Sequence, residues 1–458
     1  MTKKYKQYNP NQSFLLPPDI RDWLPENHLS FFINDTVDTL DLSEIYNYYE
    51  SSERGQPPYN PSMMVKVILY AYCVGKPGSR RIEKALMEEV AFRILGAGNH
   101  PDFRTISDFR KLHITALSGL FIQILKLCRK AGLVDNNIVS LDGTKVQANA
   151  NLDKNRDYET LSKDEEELRK RIEADLRKAI EIDEKEDALY GRDKRGDEMP
   201  DWMSSKKERL ARIRKAMEEI EREQKEKHDG YEEKLDDRAR KEKKSGSKLR
   251  GRKPNEVPLI PDDDKKANTT DPESRIMKSS KGFVQGYNAQ VAVDTKHQVV
   301  VAYDVVQDRN DSHQLVPMAN KIKENLGKAP KKMTTDAGYW NESEIRKIQD
   351  KIELFIATNK DWKERKALRE LPTPKGRIPE NMSLKDRMER KLRTLAGRAV
   401  YKLRGKTIEP TFGQIKEARG FRRFLLRGLR KVTGEYGLIV TTANILKLWR
   451  YGPKPATG

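Results

Sequence analysis

The sequence predicts an α/β protein in which a mixed sheet flanked by helices follows an all-helical domain and is interrupted by an inserted helical hairpin. Three observations carry that expectation. Up to about residue 130, apolar side chains recur at helical spacing; later stretches beginning at Ile138 and Gly286 form short apolar or alternating runs; between them lies a segment dominated by Lys, Arg, Asp and Glu. The expected divisions are 1–130, the helical domain; 131–150 with 271–450, the sheet domain; 151–270, the hairpin and its linker; and a tail at 451–458.

In the first division, "YNPSMMVKVILYAYCVG" offers Asn60 as a cap, Pro61 at the first helical position, Met64, Val67, Ile68 and Ala71 along one face, and Gly75 as the stop. Ser79 is expected to cap the next helix, which buries Ile82, Ala85 and Leu86. "HPDFRTISDFRKLH" then turns Phe103, Ile106 and Phe109 inward and leaves Arg104, Arg110 and Lys111 outside. Helices joined through a glycine-bearing turn, the last of them basic, suit helix-turn-helix contact, so these three cations are expected at DNA.

The charged segment opens with "LSKDEEELRKRIEADLRKAIEI", which sets Leu161, Leu168, Ile172, Leu176 and Ile180 on one narrow stripe. "KKERLARIRKAMEEIEREQKEK" does the same with Leu210, Ile213, Met217 and Ile220. With Gly191, Gly196 and Pro200 between them, these read as an antiparallel hairpin, and "KEKKSGSKLRGRKPNEVPLIPDDDKK" as a disordered basic linker. The acids at 164–167 and 262–264 are expected to be solvated.

After the linker, "GYNAQVAVDTKHQVVVAYDVV" alternates Tyr287, Ala289, Val291 and Val293, turns at Asp294 to His297, and returns through Val299, Val301 and Tyr303 as a hairpin. A helix with Leu315, Met318, Ala319, Ile322 and Leu326 follows, capped by Asp311 or Ser312. Then come a short strand ending at Asp336, a helix near 341–350, a strand at 353–358 and basic helices. With the hairpin insertion lifted out, the order is strand (138–142), strand, strand, helix, strand, helix, strand, helix. That is the order of ribonuclease H-like folds.

Two of these strands stop on an Asp with Gly within two residues, Asp142 in "LDG" and Asp336 in "TDAG". Strand ends facing one edge of a mixed sheet bring such residues together. A third acid, Glu409, is expected in the first turn of a helix capped by Thr407, a turn that tolerates Pro410 and whose dipole favours an anion. Converging carboxylates repel unless a cation sits between them, so a hard divalent metal is expected: two Mg2+ ions, or Mn2+ in their place. Such a pair, about 4 Å apart, can cut and join phosphodiesters. Asp294 and Asp311 read as turn and helix-start residues. Trp340 could stack on an unpaired base or pack over the sheet edge. Arg419, Arg422, Arg423, Arg427, Arg430 and Lys431, interleaved with Phe421 and Phe424, are expected against phosphates.

On "SLDGTKVQANA", "DPESRIMKSSKGFVQGYNAQVAVD", "TTDAGYW" and "IEPTFGQIKEARGFRRF", with the N-terminal stretches above, the chain resembles the DDE transposases of bacterial insertion sequences over nearly its whole length outside the insertion. The resemblance implies that Asp142, Asp336 and Glu409 are catalytic metal ligands. It also implies that Tyr401, Arg404 and Lys416 grip terminal phosphates, as a Tyr-x-x-Arg before the Glu and a Lys seven after it. Lys416 falls on the face of Glu409 two turns on. Arg404 departs from the pattern by one residue, and on a continuous helix it points about 140° away from Glu409 unless Gly405 breaks the helix.

The formal net charge of +19 over 458 residues points to a polyanionic partner. Cys73 and Cys128 are too few for a disulfide framework or thiolate metal site; the six histidines lack metal-ligand spacing, and neither a Walker glycine loop nor a Ser, His and Asp set is present. With no apolar run of about 18 residues, the protein is expected to be soluble, cytoplasmic and nucleoid-associated. The expected activity is cutting element ends and joining their 3′-hydroxyls to target DNA, by at least a dimer bound to double-stranded terminal repeats. A nuclease that does not join ends, and a DNA-binding protein that has lost catalysis, are the alternatives.

Overall fold

The computed structural model describes residues 19–50, 57–190, 201–249, 251–279, 282–359, 361, 363, 370–379 and 381–452, without the side chains of 179–190 and 201–204. Helices come first: α1 (Leu29–Asp38), α2 (Ser43–Glu50), α3 (Pro61–Cys73), α4 (Ser79–Glu88), α5 (Val90–Gly96), α6 (Phe103–Leu112) and α7 (Ile114–Lys130). α3 starts as its sequence dictates, with the Asn60 side chain accepting the Met63 N–H at 3.2 Å and Pro61 at the first position. α4 is capped by Gly78 rather than Ser79, whose hydroxyl instead accepts from Arg110. α5 follows α4 directly and was not foreseen. Among the described residues no single helix is long and apolar enough to cross a membrane; α6 and α7 pass such a test only together, across a 69° bend.

The sheet is built on β5 (Gly282–Asp294). Along one edge β5 pairs antiparallel with β1 (Ile138–Gln147), in register from Val139↔Asp294 to Gln147↔Gly286. Along the other it pairs in tandem with β4 (Arg275–Ser279) and β6 (Val300–Val306), both antiparallel. Beyond β1 lie β7 (Lys332–Thr335) and β8 (Glu353–Ile356), both parallel to it. α10 (Leu315–Leu326) packs on β6, and α11 (Glu342–Ile348) packs on α10 and leads into β8. α12 (Leu384–Arg393) contacts β8, and α13 (Leu395–Gly413) lies across β1, β5, β7 and β8.

The last helix, α14 (Leu429–Tyr451), joins the sheet to the helical region. It contacts β6, α3 and α7, and one apolar core runs from Leu29 in α1 to Leu448 in α14. Two glycines permit the close approach: a Cβ on Gly434 would meet Ile114 Cγ1 at 2.6 Å, and one on Gly437 would collide with Tyr303 Oη and meet Ser118 Cβ at 2.9 Å. Asn444 ties the helix to the sheet by accepting the Val300 N–H and donating to the Val300 carbonyl, each at 2.8 Å. Cys73 and Cys128 are buried here, and burial pushes both thiols up to about 12.

The insertion is two long helices, α8 (Tyr158–Tyr190) and α9 (Asp201–Ser245), set on a small sheet of β2 (Asn155–Asp157) and β3 (Lys266–Asn268). Leu161, Leu168, Ile172, Ile213, Ala216 and Ile220 form its own apolar cluster. Gly191, Gly196, Pro200 and the Ile180 side chain lie outside what the structure describes.

Three elements differ from their expected form. β1 runs five residues past Asp142, because the β5 edge keeps pairing after the β7 edge has ended. The linker is not disordered: it runs back along α9, where Arg238 donates to the carbonyls of Leu249, Gly251 and Arg252, and His228 bonds the Val257 carbonyl at 2.7 Å. Thr407 and Pro410 lie inside α13 rather than at its start, the cap being Thr394. Thr407 is tolerated because its hydroxyl bonds back to the Leu403 carbonyl, and Gln298 supplies the donor that Pro410 denies the Lys406 carbonyl.

Candidate active site at the open end of the parallel strands

The parallel ladder of β1 and β7 ends at Ser140↔Thr334, whose hydroxyls bond at 2.9 Å. Asp142 and Asp336 each lie two residues further on. Side chains alternate along a strand, so the two acids leave neighbouring strands on the same face as that hydroxyl pair. Each is steadied by its own backbone: Asp142 accepts the Gly143 N–H at 2.8 Å, and Asp336 caps the following turn through the Gly338 N–H at 2.9 Å.

α13 brings Arg404 to Asp142 and carries Glu409 near Arg404. Gly405 does not break the helix, yet Arg404 reaches Asp142 with an Nη2···Oδ2 distance of 2.9 Å. The exposed Glu409 carboxylate leans back toward Gly405, 3.5 Å from where a Cβ there would sit. Burial works against the Arg404 charge, but Asp142, Tyr401, Asp336 and Glu409 together raise its pKa. Asp142 is pushed up to about 7 by burial and by repulsion from Asp336 and Asp311, against the pull of Arg404 and of the Gly143 amide.

Asp311 belongs to this cluster and does not cap α10, whose cap is Gln314. Its Oδ1 accepts from Asn288 Nδ2 at 2.6 Å and Gln290 Nε2 at 2.7 Å, and lies 3.7 Å from Lys145 Nζ. Gln290 in turn accepts the Tyr339 hydroxyl, and burial with the three aspartates pushes that phenol well above its ordinary value. Burial lowers Lys145 despite the pull of Asp311, Asp336 and Asp142. These residues escaped the sequence reading. The available signal was the pair Asn288 and Gln290, two amides on one face of a strand that is buried throughout its core. Asp294, by contrast, is the turn residue expected, accepting the N–H groups of Asn136 and Lys296 at 2.8 and 2.9 Å.

Basic residues line the outer half of β1. Lys416 bonds Thr144 Oγ1 and the Lys145 carbonyl; burial and the neighbouring Arg422 lower its pKa. The 421–424 segment runs beside the strand end, with Gln147 donating to the Arg422 carbonyl and accepting from Phe424. It buries Phe421 and Phe424 and leaves Arg422 and Arg423 exposed. Two arginines expected at DNA are instead buried. Arg419 donates to Thr442 Oγ1 at 2.7 Å and to the Ile439 carbonyl at 3.1 Å, and burial brings it down to about 10. Arg110 donates to the Pro77 carbonyl at 2.6 Å. Carbonyls and hydroxyls from distant segments have taken the donors that phosphates would need. Arg104 and Lys111 stay exposed on α6, and Trp340 packs half-buried against the core.

Residues 18–112 match the transposase domain family DUF772, and residues 262–445 match the transposase DDE domain. The chain belongs to the insertion-sequence DDE transposases. No curated protein and no solved structure matches the transposase. Membership implies DNA as the partner and divalent metal as the cofactor. Among the described residues no three Asp, Glu, His or Cys side chains are gathered closely enough to hold a metal as they stand. The donor chemistry nevertheless fits a hard cation: carboxylates on and just past neighbouring strands, one of them destabilised by its neighbours, with a guanidinium as its present counter-charge.

Proposed function

We propose that this transposase cuts the ends of its element and joins the freed 3′-hydroxyls to target DNA, at a site where Asp142, Asp336 and Glu409 hold two Mg2+ ions. The observation that carries the reading is the matched register of Asp142 and Asp336 on parallel neighbours, with Arg404 bonded to Asp142 and Glu409 on the same helix as Arg404. The strand order β6-β5-β1-β7-β8, with the first two steps antiparallel and the last two parallel, supports a ribonuclease H-like catalytic domain. Bound there, Mg2+ supplies Lewis acidity at the scissile phosphate.

The chain's own residues then have separable tasks. The three acids fix where cleavage occurs. Arg404, once the acids have another counter-charge, is free to hold a phosphate oxygen, with Tyr401 beside it. Lys416, Arg422 and Arg423 follow β1 outward for the five residues from Asp142 to Gln147, about 17 Å, and track the DNA backbone. Arg104 and Lys111 read the terminal repeats, and two ends brought together require at least a dimer.

A precut end, supercoiled plasmid and Mg2+ test this directly: joined product is expected. Asp142→Ala should lower joining on the order of a thousandfold or more while the melting profile stays intact. Cleavage without joining would instead favour the nuclease, and unchanged processing by the variant would remove Asp142 from catalysis.

A further inference from the structure

Lys145 and Asp311 have no task in the scheme above, although they sit among its acids. We infer that Lys145 is a phosphate-binding residue of the active site and that Asp311 is the positioning residue that holds it there. The inference rests on the transposase reading and adds a substrate contact to it.

Asp311 is mounted with unusual care for a loop residue. Two wholly buried amides, Asn288 and Gln290, point their nitrogens at its Oδ1. Gln290 has no freedom to turn over, because its oxygen is occupied by the Tyr339 hydroxyl. Space for the carboxylate is reserved by the glycines that follow the two strand acids: a Cβ on Gly143 would meet Asp311 Oδ1 at 2.6 Å, and one on Gly338 would meet its Oδ2 at 3.3 Å. Burying two amides where valines would fit costs desolvation free energy and adds nothing to an apolar core, and they hold a carboxylate that is itself partly exposed. What the arrangement does achieve is an ammonium fixed at the strand end.

The neighbouring cations are otherwise engaged. Arg404 pairs with Asp142, and Lys416 bonds Thr144 and the Lys145 carbonyl. Unlike Arg404 and Lys416, Lys145 is ion-paired with an acid outside the proposed metal ligands, so filling the metal site leaves its partner in place. Its side chain, 17% exposed, can be reached from outside, which the two amides cannot. The acids Asp142, Asp336, Glu409 and Asp311 against Lys145, Arg404 and Lys416 carry a formal charge of −1, and the first divalent cation makes it positive. A phosphodiester is the complement of that field.

The test is binding without turnover. A short duplex carrying the inverted repeat that brackets the gene, with a free 3′-hydroxyl, is titrated in Ca2+ over a range of salt, with melting temperatures followed for every variant. Lys145→Met should weaken binding about tenfold at fixed salt and make the slope of log affinity against log salt shallower by about 0.9, one phosphate contact. Lys145→Arg should keep the slope, and Asp311→Asn should lose part of it. In the double variant Lys145→Met, Asp311→Asn the loss should persist. A wild-type slope for Lys145→Met, or recovery of wild-type binding in the double variant, overturns the inference, since Lys145 would then only neutralise Asp311. If the native protein does not prefer the repeat over a scrambled duplex, the transposase reading falls first and takes the inference with it.

Discussion

At the scale of single residues, the site shows which charges a sequence reveals. Asp142 and Asp336 stood out as candidates because each follows a short strand with a glycine within two residues, a local pattern. Asp311 was not, since the amides that hold it lie 21 and 23 residues away and its own neighbourhood looks like any helix start. Arg110 and Arg419 misled for the same reason, their burial depending on carbonyls and hydroxyls brought in by the fold. Asp294 gives a prediction at this scale. Burial raises its carboxyl to about 6, against the hydrogen bonds from Lys296 and Asn136 and with added repulsion from Asp135. Its folded pKa therefore exceeds the unfolded value of about 3.9. The folded state binds the proton more tightly, so this group favours folding most below pH 4, and the advantage is lost as pH rises toward 6. Asp294→Asn should flatten that limb of the stability curve in urea titrations at pH 4 to 7.

At the scale of elements, periodicity identified most helices and strands but misplaced their ends. The apolar pattern of β1 stops at Asp142 because one neighbour leaves there, while the ladder to β5 continues through residues that sequence alone reads as an exit loop. α13 was missed as one helix because Thr407 and Pro410 are ordinary start signals, and only Gln298, more than a hundred residues away, makes the proline tolerable inside. The insertion was legible as a hairpin, but its anchorage was not. Glu219, on α9, takes Arg275 of β4 at 2.7 Å and Gln307 just after β6 at 3.1 Å, and Arg222 from its own helix at 2.7 Å. Arg275→Ala strands a nearly buried carboxylate with fewer donors, at a cost of about 2 kcal/mol. Limited proteolysis should then cut the 246–265 linker faster, with the rest of the chain still protected.

At the scale of the whole molecule, the sequence suggested a helical domain followed by a sheet domain, whereas the core passes through both. No local pattern could show this, because the link is made by the last helix returning to the first ones. Gly437 sits at the crossing, between Tyr303 of the sheet and Ser118 of α7. Gly437→Val should cost about 3 kcal/mol, and calorimetry should show the helical region and the sheet losing stability together in one transition. The same junction has a consequence for how position on DNA is measured. On the proposed reading, helices that contact a terminal repeat cannot swing relative to the carboxylates while α14 packs against α3, α7 and β6, which makes the protein a gauge of fixed length. One base pair inserted between the bases contacted by α6 and the element's tip should leave binding intact and shift the nick by one nucleotide, which a sequencing ladder of the cleaved ends would display.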